Sequence, residues 1–520
     1  MSKNLLFAFI IFILFVVIDS VGLSKTGMLW DELAVATNGE TYIGYFKNLD
    51  FSQRNWSLND EHPPLGKYIY GISRKITKSS SFLTNLDPLY SESRALTFSR
   101  FFGVLMGGLA VSSLFLMATK LFGKTVGFFS ALFLATNPHF LAYTRIASLE
   151  MPLLLFSILF VWSFVLGIYS NLKGVRYILI WVLVAGFLGA AIASRFNGVF
   201  LCFLFEAGLL LFYKKKLFTK KHIWKVFLPV ISLLFLYLIW PWLWPNPFRN
   251  FFESIDRGLE VHTKEYFLGK MGFSPFYYYF IYFIATVPLF QFFFFIFGIL
   301  GGCFLFKDKS LKKVYPLLIF FLMYFLTPFL ASFVPLKQDG IRYVQFFLPA
   351  FSLLSAFGLN CILNFVWKAY PNLKKRGRMF IFFLITIFSL YIPFRFYPYY
   401  TNYYNGIFGS LENIVRNKTF EMGWWGEGSF EAVEKVNSVA KPGETVFVDF
   451  DPGHTVPSFL EGIKITKNRG SDPDFIILNL FTKWYGDGEK TAAYVKERNY
   501  KLIHEVKVAG KVTIVWVYEK

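Results

Sequence analysis

The residues best suited to chemistry in this chain sit in short polar stretches between long apolar runs. Trp30-Asp31-Glu32 follows the first run, and Glu61-His62-Pro63-Pro64-Leu65-Gly66-Lys67 comes before the second. Arg145 and Glu150 share one short stretch, Arg195 ends a further run, and His262, Asp339 and Arg342 stand in two later stretches. Carboxylates can take a proton from a nucleophilic hydroxyl or amine, while guanidinium and ammonium groups can hold a departing oxyanion. These are the parts of a group transfer onto an acceptor, with Asp31, Glu32 and Glu150 as the acidic set and Arg195, Lys67, Arg145 and Arg342 as the cationic one. Each has a plainer role beside it. Asp31 suits a helix cap or an interfacial ion pair, Arg195 a snorkelling interfacial cation, Glu150 a structural pair with Arg145, and Asp339 to Arg342 a tight turn. Glu32 is expected to orient loops or acceptor. His62 is open between general acid, metal ligand and hydrogen-bonded turn residue. Glu61, His62 and His262 are metal-ligand types, so a divalent metal stays possible, although no cofactor is required by the sequence.

The elements that must position these residues are membrane helices. The chain has 520 residues, 55% hydrophobic and only 17% charged, with mean hydropathy +0.47. A helical span needs about 20 mostly apolar residues, and about eleven such runs occur. Backbone groups in hydrocarbon must be satisfied internally, which makes the runs helical. The formal charge of +20 is concentrated in alternate connections, including Lys214-Lys215-Lys216, Lys220, Lys221 and Lys225, and Lys374-Lys375-Arg376. That alternation is the positive-inside pattern, not a nucleic-acid footprint. It sets the N-terminus inside and the connections 24–94, 143–150, 244–274 and 334–342 outside, with all the candidate residues on that outer face at or near the interface. Ionisable groups at membrane depth are costly and tend to line cavities or substrate paths, so a shared pocket is expected. The three cysteines lie inside apolar runs and imply no disulfide framework.

Trp30-Asp31-Glu32 after the first span, His62-Pro63-Pro64-Leu65-Gly66-Lys67, Arg100 opening the next helix, Arg145 with Glu150, and the cation at 195 resemble the pattern of protein O-mannosyltransferases and aminoarabinose transferases. These are membrane glycosyltransferases of the GT-C fold that use polyprenyl-phosphate sugars. The resemblance covers about the first 200 residues well. Trp242 to Pro247 and Lys337 to Arg342 are similar to later loops of prokaryotic relatives, and the tail is only loosely similar. Glu150 departs from the pattern, which usually has Asp there. The resemblance implies that Asp31 is the base that deprotonates the acceptor, that displacement inverts the anomeric centre, and that a lipid phosphate is gripped near Arg195.

The expected architecture is therefore a polytopic α-helical membrane protein of GT-C type. Residues 1–396 form the transmembrane part, with about eleven spans, and 397–520 a small extracytoplasmic α/β domain signalled by alternating strand and helix patterns. The expected activity is transfer of a sugar from an undecaprenyl- or dolichyl-phosphate carrier to an acceptor on the outer face of the plasma (cytoplasmic) membrane. Partners would be the carrier lipid and an unidentified protein, lipid or glycan acceptor. A transporter or flippase for a lipid-linked or anionic solute is the alternative from another class. It calls for charges near the bilayer midplane and paired interrupted helices in two related halves.

Overall fold

The computed structural model describes residues 3–26, 28–79, 91–260, 264–304, 314–334, 339–371, 375–450 and 459–520. His262 and Lys337 lie outside the described residues.

All eleven expected spans correspond to helices. Among the described residues, eight are long and apolar enough to cross a membrane. They include α1 (Lys3–Asp19), α4 (Ser91–Phe122), α7 (Glu150–Tyr169), α8 (Val175–Ser194) and α9 (Phe200–Tyr213). The rest of the eight are built on α14 (Tyr315–Leu326), α15 (Leu348–Ala369) and α16 (Lys375–Phe396). The eighth expected span is a bent pair, α12 (Tyr278–Thr286) and α13 (Leu289–Phe304), which meet at 115° around Val287-Pro288, where proline removes a backbone donor; a broken span and a re-entrant loop both have this form. The remaining two are shorter apolar helices, α5 (Lys124–Ala135) and α10 (Leu228–Ile239). α5 stops because Asn137-Pro138 starts a new short helix, α6 (Pro138–Thr144): Asn137 accepts hydrogen bonds from the His139 and Phe140 backbone N–H groups, and Pro138 takes the first helical position.

The connection after α1 is not a plain loop. Its described residues include two longer helices, α2 (Glu32–Lys47) and α3 (Leu65–Ser79), whose backbones cross closely. A Cβ on Gly39 would lie 1.9 Å from the Lys67 carbonyl oxygen, and one on Gly71 would lie 2.2 Å from the Gly39 carbonyl carbon. Only glycine fits at that crossing. The stretch between α10 and α12 likewise holds a helix, α11 (Pro247–Glu260), and a hairpin, β1 (Glu265–Phe267) with β2 (Lys270–Gly272).

After residue 397 a five-stranded sheet forms from β3 (Thr445–Val448), β4 (Lys464–Thr466), β5 (Phe475–Asn479), β6 (Lys501–Val508) and β7 (Val512–Glu519). The order is β4-β3-β5-β7-β6. β3 pairs in parallel with both β4 and β5, whereas β7 runs antiparallel to β5 and β6. Helices α17 (Ser429–Val439), α18 (Leu480–Trp484) and α19 (Asp487–Glu497) complete it. β5 is buried throughout, as expected of a central strand. The sequence pattern anticipates β3, β5, α17, α19 and β7; β4 and β6 add to them.

Candidate active site

Five candidate residues from four connections form one linked cluster. Asp31 takes the N-cap position of α2, yet its side chain makes no capping bond. It meets Arg342 instead, with Nη2 to Oδ2 at 2.5 Å. Arg342 Nε donates to Glu150 Oε1 at 2.5 Å, and its Nη1 lies 3.4 Å from Asp339 Oδ2. Glu150 closes the chain by accepting a short hydrogen bond from Arg195 Nη1. Arg342 thus touches three carboxylates and Glu150 two guanidinium groups. The Asp31 side chain is 31% exposed, against 8% for Arg342 and 0% for Glu150. The base candidate is the member of the cluster open to a partner.

Local backbone structure explains these positions. Glu150 opens α7, where a helix N-terminus favours negative charge. Arg195 follows α8 in extended conformation and begins a short turn. Its guanidinium stacks on the Tyr343 ring at 4.3 Å, and Asn197 holds the Tyr343 carbonyl at 2.8 Å. The Arg342 turn passes through Asp339 and Gly340 with φ of 43° and 64°. Its Gly340 N–H donates to the Tyr278 hydroxyl, which itself donates to buried Glu265 of β1. Arg195 Nε and Nη2 and Glu150 Oε2 are buried and find no hydrogen-bond partner among the described residues. Unpaired buried donors are costly and suit a site completed by a ligand.

The roof comes from the C-terminal part. Trp425 lies 4.6 Å from the Arg342 guanidinium as a cation–π partner and stacks with Trp424 at 5.0 Å. Glu427 accepts the Trp425 N–H, and Asn402 accepts that of Gly423. Trp30 joins the same roof through its N–H to the Trp425 carbonyl and an edge contact with Phe450.

The other described candidates have partners of their own. Glu32 is fully buried and saturated: it pairs with Arg100 at 2.5 Å and accepts the backbone N–H groups of Leu29 and Ala147 at 2.9 Å each. It ties the Asp31 turn to α4 and to the Arg145–Glu150 stretch. The structural pair between Arg145 and Glu150, one of the two roles open to Glu150, does not form. Arg145 turns to Asp19 at the end of α1 and to the Val21 carbonyl, because Glu150 is already engaged by two arginines. Lys67 points into the α2–α3 layer, where it donates to the Asn59 and His62 carbonyls, and burial pushes its ammonium down to about 7. Burial, with Arg195, Lys67 and Arg342 nearby, holds the His62 imidazole well below its ordinary value and hence neutral. Glu61 accepts from Asn59 at 3.1 Å. Among the described residues no three His, Cys, Asp or Glu side chains lie close enough to hold a metal ion.

Tyr343, Trp425, Asn197 and Tyr278 are members of the site that the sequence reading does not single out. Asp19, paired with Arg145, and the Asp60–Arg257 pair lie outside the linked cluster. The doublet Trp424-Trp425 between glycines was the one visible signal; the others look like ordinary interfacial residues.

The bundle, the paired helices α2 and α3 and the small sheet together have the architecture of the GT-C fold. Residues 93–244 match the family described as dolichyl-phosphate-mannose-protein mannosyltransferase. The fold is similar to that of ArnT from Cupriavidus metallidurans bound to undecaprenyl phosphate, with TM-score 0.51 and 11% identity, covering 100% of this chain and 98% of that one. It is also similar to the oligosaccharyltransferase of Archaeoglobus fulgidus in the apo form, with TM-score 0.50 and 13% identity, covering 93% of this chain and 70% of that one. No curated protein matches the sequence.

Proposed function

We propose that this protein is an inverting glycosyltransferase that moves a sugar from a polyprenyl phosphate to an acceptor hydroxyl or amine. The observation that carries this is the linked cluster Asp31–Arg342–Glu150–Arg195, with buried cations and one accessible carboxylate. ArnT, which shares the fold, is known bound to undecaprenyl phosphate, and this supports a donor of that class.

The sugar already carries a good leaving group, so the protein needs to remove one proton and stabilise one phosphate. The acceptor oxygen or nitrogen attacks the anomeric carbon, the bond from that carbon to the phosphate oxygen breaks, and the acceptor proton passes to Asp31. Polyprenyl phosphate leaves with the bonding electrons. Its phosphate meets the unpaired Arg195 donors and competes with Asp31 for Arg342. Donor binding thereby frees the base, which couples proton removal to the presence of substrate. Glu150 keeps both arginines at a fixed separation. We place the cluster on the extracytoplasmic side of the plasma membrane, with the N-terminus inside. A transporter would call for charges near the midplane of the spans, whereas these sit at helix ends.

The test is a purified assay with a labelled polyprenyl-phosphate sugar. Asp31→Asn is expected to lower turnover by roughly a thousandfold, within the range for loss of a general base, with donor binding retained. Normal turnover in that variant removes the base assignment, and movement of the labelled lipid without cleavage removes the transferase reading. Mass analysis of glycoconjugates from a deletion strain and its complemented partner names sugar and acceptor.

A further inference from the structure

A cavity of about 570 Å³ lies between α1, α5 and α16, a size suited to a bound organic ligand. Its walls are hydrocarbon: Leu14 and Ile18 of α1, Ala131 and Leu132 of α5, Leu390 and Phe394 of α16. Leu14 is 54% and Phe394 85% exposed, so the cavity opens where a bilayer surrounds the bundle. One end is polar, lined by Asp19, Arg145, Tyr397 and Tyr400. Neither charged residue there belongs to the linked cluster around Arg342. Arg145 is 2% exposed, and its Nε finds no hydrogen-bond partner among the described residues. Asp19 Oδ1 lies 3.5 Å from Arg145 Nη1, so the polar end presents one positive and one negative group side by side.

We propose that this groove is a binding site for a zwitterionic membrane phospholipid. One acyl chain lies between α1 and α16, the phosphodiester faces Arg145, and the ammonium faces Asp19. Charge decides between lipids. A head carrying both signs matches the pair, whereas a phosphate monoester brings a charge of about −1.5 to −2 beside the Asp19 carboxylate. The polyprenyl phosphate carrier is therefore disfavoured here. The site holds Arg145 and the end of α1 in place and is independent of the transfer reaction.

The experiment is native mass spectrometry of the full-length protein in mild detergent, alone and after addition of phosphatidylethanolamine, phosphatidylglycerol or undecaprenyl phosphate. One phosphatidylethanolamine per chain is expected to stay bound, with retention falling at least tenfold in Ala131→Trp and Leu14→Trp, whose indoles fill the groove. Leu14 is exposed, so its variant decides the matter if Ala131→Trp fails to fold. Asp19→Asn is expected to shift preference toward phosphatidylglycerol. The proposal is overturned by absence of any bound lipid, by equal retention in Leu14→Trp, or by undecaprenyl phosphate displacing the zwitterion.

Discussion

Arg342 bonds Asp31 through Nη2 and Glu150 through Nε, both at 2.5 Å, joining the turn before α2 to the start of α7. The geometry uses two fixed N–H donors of one planar guanidinium, which a lysine ammonium cannot reproduce. Arg342→Lys should keep the charge and lose the bridge. We expect at least a thirtyfold loss in kcat/KM for sugar transfer, with Arg342→Ala lower still. Removing one partner of a buried pair costs about 3–5 kcal/mol, so thermal unfolding in detergent should register the alanine variant too. Transfer assays on the two variants at equal folded concentration check the order.

Glu32 and Asp31 are neighbours with opposite expected phenotypes. Glu32→Gln takes from the buried Arg100 its carboxylate partner at 2.5 Å, and on the same scale should cost about 3–5 kcal/mol of stability. Asp31→Asn, at a partly exposed side chain, should cost about 1 kcal/mol or less while removing activity. A melting curve beside a turnover number for each variant separates structure from chemistry. The assignments fail if Glu32→Gln melts like the parent.

The Trp425 ring over Arg342 makes the C-terminal part a component of the site. Trp425→Ala should weaken the interaction by about 0.5–2 kcal/mol, seen as a severalfold to thirtyfold rise in KM for the donor. Trp425→Phe keeps an aromatic face and should recover most of that loss. Steady-state kinetics at varied donor concentration gives the answer.

Asp449, at the end of β3, accepts the Asn479 N–H at 2.9 Å and a short bond from Thr482. Burial raises its carboxyl from 3.8 to about 7. A raised carboxyl means that the folded state holds the proton more tightly, so this group's contribution to stability falls as pH rises from about 4 to 7 and levels off above. Asp449→Asn should therefore stabilise the sheet at pH 8 more than at pH 5. Unfolding of the full-length protein followed by tryptophan fluorescence at both pH values checks the sign.

Hydrophobicity and charge determined much of this protein directly from the sequence. Eleven apolar runs became eight long helices, one bent pair and two shorter helices, because hydrocarbon leaves a chain no other way to satisfy its backbone. The candidates Asp31, Glu150, Arg195, Asp339 and Arg342 were legible because charge at a helix end is conspicuous against such a background. Which of them meet was not. Whether Arg145 or Arg342 pairs with Glu150 depends on positions 192 residues apart in the chain, and no local pattern encodes that choice. The same holds for Trp425, whose doublet with Trp424 is visible in sequence but whose partner, the Arg342 guanidinium, is met only in the folded chain. Periodicity and composition act over a few turns of helix, whereas ion pairing and cation–π contact are decided by through-space distance, which only the packed helices supply.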